Sequence, residues 1–186
     1  MAAQPVGVSA RVALRVATRS VHERLHVAPP FLALTQDRLP LADYVTLLSR
    51  MAGYYFAVSE RVAIEPTRLQ SLRQDLADLG SPTPPRVDLP PVEGETRSLG
   101  WRYVVEGSIF GGRVIYRQLD SLFGDEEAGR SFFRGTATGT RHWQDLCSEL
   151  DDAGAAAGAI DEMIEGARDA FSAFECAIAE MELADV

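Results

Sequence analysis

The chain has 186 residues, 46% apolar and 24% charged, which fits one domain with a sizeable core. Its formal net charge of −9 argues against general binding to nucleic acid or to an anionic membrane surface, since both need basic faces. There is no run of about 18 apolar residues, so no transmembrane helix is expected, and the start MAAQPVGVSARVALRV lacks the basic-then-apolar order of a cleaved secretory signal.

All 18 basic residues are arginine, a fixed forked donor suited to carboxylates. Cys147 and Cys176 lie in no CxxC pattern. They read as two reduced, partly buried thiols of a cytoplasmic protein.

In chain order the pattern is helical nearly throughout. A first amphipathic segment runs from Ser9 to Val27, and Pro29 and Pro30 are expected to stop it. A second runs from Leu41 to Ile64, with apolar spacing at Leu47, Leu48, Met51, Tyr54, Tyr55 and Val58, and ends before Pro66. A third spans Arg68 to Leu79, with Gly80 as its C-terminal cap. Residues 81–95 hold five prolines and read as a semi-rigid crossing.

A fourth helix is expected over Thr96 to Phe123; the brief strand signal at Tyr103-Val104-Val105 is too short to displace it. A fifth covers Glu126 to Phe133, and a sixth, carrying Trp143, covers Thr138 to Leu150. The last runs from Ala157 to Leu183, with Met163, Ala167, Phe171 and Ile178 among its core positions. The expected fold class is therefore all-α: a single-domain bundle of six to eight helices over 1–186, with 1–8 and 184–186 disordered.

Two constellations carry chemistry. On the first helix His22 is seven residues beyond Arg15, an offset of roughly 20°, and Arg19 flanks it by about 60°. An imidazole is a good ligand for iron, and guanidiniums suit carboxylates. A solvated helix face with an incidental histidine fits the spacing as well. The second constellation is Glu106-Gly-Ser-Ile-Phe-Gly-Gly-Arg113. Glycine costs about 1 kcal/mol against alanine inside a helix, so three in six residues cost about 3 kcal/mol. Either another helix or a flat ligand must come close to the backbone there. The four-residue spacing of Gly107 and Gly111 makes a notch on one face, with Ser108 at its edge.

Leu14-Arg-Val-Ala-Thr-Arg-Ser-Val-His22-Glu-Arg-Leu25 resembles the proximal-helix signature of heme oxygenases. Tyr103-Val-Val-Glu-Gly-Ser-Ile-Phe-Gly-Gly-Arg-Val-Ile115 is similar to the distal-helix signature of their bacterial members. The resemblance spans about residues 8–180. It implies a heme held between a proximal N-terminal helix and a kinked, glycine-rich distal helix.

By this resemblance His22 is the axial iron ligand, and Arg15, Arg19 and Tyr103 lie near the propionates. Gly107, Ser108, Gly111 and Gly112 line the distal side, with His22, Gly107, Ser108 and Gly111 the catalytic set. His26 stands where the family usually has a carboxylate, and is both a substitute partner for His22 and a rival ligand. The implied activity is oxidative cleavage of heme b, cofactor and substrate at once, to biliverdin, carbon monoxide and ferrous iron. It uses O2 and an external donor such as ferredoxin or a flavoprotein reductase, and a bacterial phytochrome is a possible recipient of biliverdin. The alternatives are a non-catalytic heme carrier or sensor, a thiaminase-like enzyme with a nucleophilic cysteine, and a purely structural bundle.

Overall fold

The computed structural model describes residues 9–179. Every element there is helical: α1 (Ala10–Ala17), α2 (Arg19–His26), α3 (Pro29–Thr35), α4 (Leu41–Ser59), α5 (Pro66–Asp78), α6 (Glu95–Gln118), α7 (Asp120–Phe123), α8 (Ser131–Arg134), α9 (Ala137–Ala153) and α10 (Ala159–Ala179). No strand occurs among the described residues. The expected disorder of 1–8 and 184–186, and the helix end at Leu183, lie outside them.

Several boundaries differ from expectation. The first segment is two helices, broken at Thr18, whose φ of −104° and ψ of 2° leave the α region. The Thr18 hydroxyl donates to the Leu14 carbonyl, 2.8 Å away, a local bond that competes with the helix ladder. Pro29 and Pro66 open helices rather than merely ending them. Each stands in the first turn, where a missing N–H costs nothing. Glu65 caps α5, its carboxylate accepting from the Thr67 and Arg68 amides. The fifth expected helix shrinks to Ser131–Arg134, because Gly129 at φ 85° turns the chain before it. Gly80, at φ 58°, follows α5 as expected.

The central pair is α6 and α10. A Cβ on Gly100 would collide with the Met163 carbonyl, and one on Gly166 with the Arg97 carbonyl, so each helix supplies a glycine where the backbones meet. The main core gathers Tyr44, Leu47, Tyr54, Leu72, Trp101 and Leu119 from α4 to α6 and the turn after it. A second cluster joins Leu14 of α1 to Leu146, Leu150 and Met163. The proline-rich segment crosses α4, where a Cβ on Gly53 would strike the Pro85 carbonyl. Asp75 ties α5 to α8, accepting from the Ser131 amide (2.9 Å), the Ser131 hydroxyl (2.7 Å) and the Phe132 amide (2.7 Å).

Candidate functional site

The α1–α2 pair lays its two faces to different uses. Leu14, Thr18 and Val21 are buried, while Arg15, Arg19, His22 and His26 are exposed along one side. On the other side Arg24 pairs with Glu175 of α10 at 2.9 Å, with a second bond at 3.2 Å. Arg11, Arg15 and Arg19 form no ion pair with any described residue. Guanidiniums without an ion-pair partner among the described residues, on the helix pair that carries an exposed imidazole, suit an anionic ligand with a metal at its centre.

His22 has its edge toward two rings: His26 at 4.7 Å between centroids, and Phe171 of α10 at 6.4 Å. Partial burial lowers its pKa, helped by His26 and Arg15 and opposed by Glu23. A lowered pKa keeps the imidazole neutral near pH 7, the form that binds iron. Tyr103 of α6 reaches this region: burial raises its pKa, opposed by the nearby Thr18 hydroxyl and the charges of Arg15 and Arg11. Arg15 is thus a neighbour of both His22 and Tyr103.

The glycine stretch of α6 divides by neighbour. Gly112 packs on α8, where an added Cβ would lie 3.2 Å from the Phe133 carbonyl oxygen. Gly107 is covered by the Trp143 indole of α9, 3.0 Å from such a Cβ. Gly111 meets nothing within 4 Å. The expected notch over Gly107 and Gly111 is thus half filled by Trp143, and the open part is at Gly111. Beside it Phe110 and Val114 are exposed large apolar residues at 43% and 52%. Exposed apolar side chains around an open backbone give a flat hydrophobic group a surface to lie on. α6 runs from Glu95 to Gln118 without interruption.

Ser108 turns toward the interior and meets a group the sequence did not reveal. Arg68 of α5, only 6% exposed, donates to Ser108 Oγ at 2.6 Å and to Tyr55 Oη at 3.1 Å. The Tyr55 and Ser108 hydroxyls are themselves 2.8 Å apart, and Arg68 also donates to the Val105 carbonyl. Its guanidinium lies over the Tyr55 and Phe132 rings, at 4.9 and 4.8 Å. Arg68 forms no ion pair with a described residue, so its charge is held by hydroxyls, a carbonyl and aromatic faces. A small cavity lined by Ser71, Ser131 and Thr136 reaches Arg68 from the α5–α8 side.

Three residues were thus missed as site candidates. Trp143 and Tyr55 were read as ordinary helix positions, and Arg68 as the start of a helix. No local signal marks them, since each matters through a partner more than 35 positions away. The remaining histidine, His142, is exposed on α9. Cys147 and Cys176 are both free, and Cys176 is exposed rather than partly buried.

Comparison with known proteins gives one answer. The family model for heme oxygenase matches residues 68–180. That stretch contains α6 and the glycine motif and leaves His22 outside. A heme oxygenase of Xanthomonas campestris pv. campestris (strain 8004) is 32% identical over 112 residues, covering 60% of this chain and 67% of the relative. Among solved structures, the NO- and CO-bound heme oxygenase of Neisseria meningitidis superposes with a TM-score of 0.72 at 22% identity, over 94% of this chain and 92% of that one. The heme oxygenase of Leptospira interrogans gives 0.74 at 14% identity, over 94% and 100%. Heme oxygenase-1 of Synechocystis sp. PCC6803, in complex with heme, gives 0.74 at 16%, over 94% and 93%. These structural likenesses extend the shared all-helical fold through the N-terminal helices.

Proposed function

This chain belongs to the heme oxygenase family and degrades heme, and from that premise we propose that His22 is the axial ligand of the heme iron and that the α6 backbone about Gly111 covers the opposite face of the ring. Residues 1–186 act in this scheme as one heme oxygenase-like domain. The observation that carries it is that Arg15 and Arg19 have no ion-pair partner among the described residues, on the α1–α2 pair that carries His22, while Arg24 of α2 is paired with Glu175.

Bound heme supplies the redox iron and the ring that is cleaved to biliverdin. The protein's part is to hold and orient. His22 anchors the iron as a neutral imidazole, which does not push electron density onto iron as a thiolate would. Arg15, Arg19 and the neutral Tyr103 phenol hold the propionates, and their placement fixes the rotation of the ring and so the carbon that reacts. Of the three glycines expected to line the distal side, Gly111 would leave its backbone open to the ring, while Gly107 lies under Trp143 and Gly112 against Phe133.

Arg68 donates to Ser108 Oγ, so the Ser108 proton is directed to the Val105 carbonyl, 2.7 Å away, or to the Tyr55 oxygen. The hydroxyl is thereby tied to these interior partners, and its remaining lone pair would accept a hydrogen bond from a water that supplies a proton during turnover. O2 and an external donor, a ferredoxin or a flavoprotein reductase, complete the reaction. The arginine rim at the heme edge suits an acidic donor despite the net charge of −9. No helix of the described residues is long and apolar enough to cross a membrane. We place the protein in the cytoplasm, where its biliverdin is available to a bacterial phytochrome.

Hemin mixed with the purified protein should give a Soret band, and reductant with air should convert it to a green bilin. Unchanged heme after reduction and aeration would leave only heme binding. His22→Ala should abolish the axial-ligand spectrum, and an unaltered spectrum would move the ligand to His26.

A further inference from the structure

His22-Glu23-Arg24-Leu25-His26 has the order H-E-x-x-H, and it lies wholly within the helix α2, Arg19–His26. That order places two imidazoles on one helix face, one turn apart, where both can bind one metal ion. The geometry agrees. With metal–nitrogen bonds of about 2.0–2.1 Å at tetrahedral or octahedral angles, two coordinated imidazoles have their ring centres roughly 5 Å apart. Here the centres are 4.7 Å apart with the planes at 67°. Both rings are exposed, and neither makes a hydrogen bond or ion pair with a described residue.

We propose that the heme-free protein binds one divalent first-row transition-metal ion through His22 and His26, and that this ion and heme exclude one another at His22. Glu23 lies between the two histidines on the same helix and supplies a negative charge against the exposed Arg15 and Arg19. Arg24, the nearest other cation in sequence, is engaged by Glu175. Among the described residues no group of three or more histidine, cysteine or carboxylate side chains is placed to hold a metal. The site is therefore a two-imidazole chelate completed by water, and not the centre of a zinc peptidase, despite the motif. Ferrous iron set free by ring opening belongs to the same class of ion, though it binds such ligands more weakly than copper or zinc.

Chelation rests on α2 alone; the competition rests on His22 being the heme ligand. The test is zinc titration of heme-free, chelator-stripped protein by calorimetry, with helicity of each variant checked by circular dichroism. One zinc per chain is expected. Losing one imidazole removes the intramolecular second contact, so His26→Ala and His22→Ala should each weaken zinc by about tenfold or more. His142→Ala should leave it unchanged. Zinc at a concentration that fills the parent site but not that of His26→Ala should slow hemin uptake by the parent protein and not by His26→Ala, which keeps His22. Parent-like zinc affinity in His26→Ala overturns the proposal. Parent protein that gives no axial-ligand spectrum in zinc-free buffer overturns instead the assignment of His22 to heme, and the zinc affinities still decide the chelate.

Discussion

The two halves of α6 use glycine for opposite ends. In the first half Gly100 lets the backbone touch that of α10, and Gly166 returns the contact from the other side. In the second half Gly111 faces open space between the exposed side chains of Phe110 and Val114. One glycine is met by protein and the other meets no described atom within 4 Å. The α1–α2 pair repeats the contrast with arginine: Arg24 is tied down by Glu175, while Arg15 and Arg19 are exposed with no ion-pair partner among the described residues. Both contrasts separate groups that build the bundle from groups that the proposed function assigns to heme.

The sharpest way to break this division is Gly100→Ala. A Cβ there meets backbone, which cannot rotate away, so overpacking should cost about 3 kcal/mol, read as a fall in the denaturant midpoint. A parent-like midpoint would mean that α6 and α10 can slide apart. Next comes Arg15→Ala. Loss of a charge-assisted contact to a carboxylate, worth about 1.5–3 kcal/mol, should weaken hemin binding roughly tenfold or more with the melting temperature unchanged. Equal loss of stability and hemin affinity would make Arg15 a structural residue.

Gly111→Ala should have the smaller and more telling effect. It removes the helix cost of glycine where nothing obstructs a methyl group, so the heme-free protein should gain up to about 1 kcal/mol. Hemin turnover should fall at the same time. A variant that gains stability and keeps full turnover would show that nothing needs the open backbone. Smallest of all is Arg24→Ala. An exposed ion pair contributes about 0.5 kcal/mol, so the melt should barely move and hemin affinity should stay as it was.

Much of the helical frame was legible because long amphipathic runs report their own period. α4, α6 and α10 fall close to their expected spans. The prolines were legible only in part. A proline that ends one helix reads the same as one that begins the next, and Pro29 and Pro66 do the latter. The break at Thr18 was hidden because the apolar pattern continues through it, and only the Thr18–Leu14 bond marks the bend. Of the proposed site, Arg15, His22 and Tyr103 were legible as motif residues, and Arg15 is the neighbour that His22 and Tyr103 share. Arg68 and Trp143 were not, for a residue that acts across the bundle leaves no periodic trace along the chain.

The sequence by itself determined the all-helical class, the proximal and distal motifs, and the local cost of the glycine cluster. The helical class and the glycine cost depend on residue spacing and intrinsic propensity, while the two motifs were legible by their resemblance to heme oxygenases. Only the tertiary structure decided how that cost is shared. It set Gly112 against α8, Gly107 under Trp143 and Gly111 in the open, and it buried Arg68 behind Ser108. A helix exposes every side in isolation, so the role of each glycine follows from which neighbour the packed bundle brings to it.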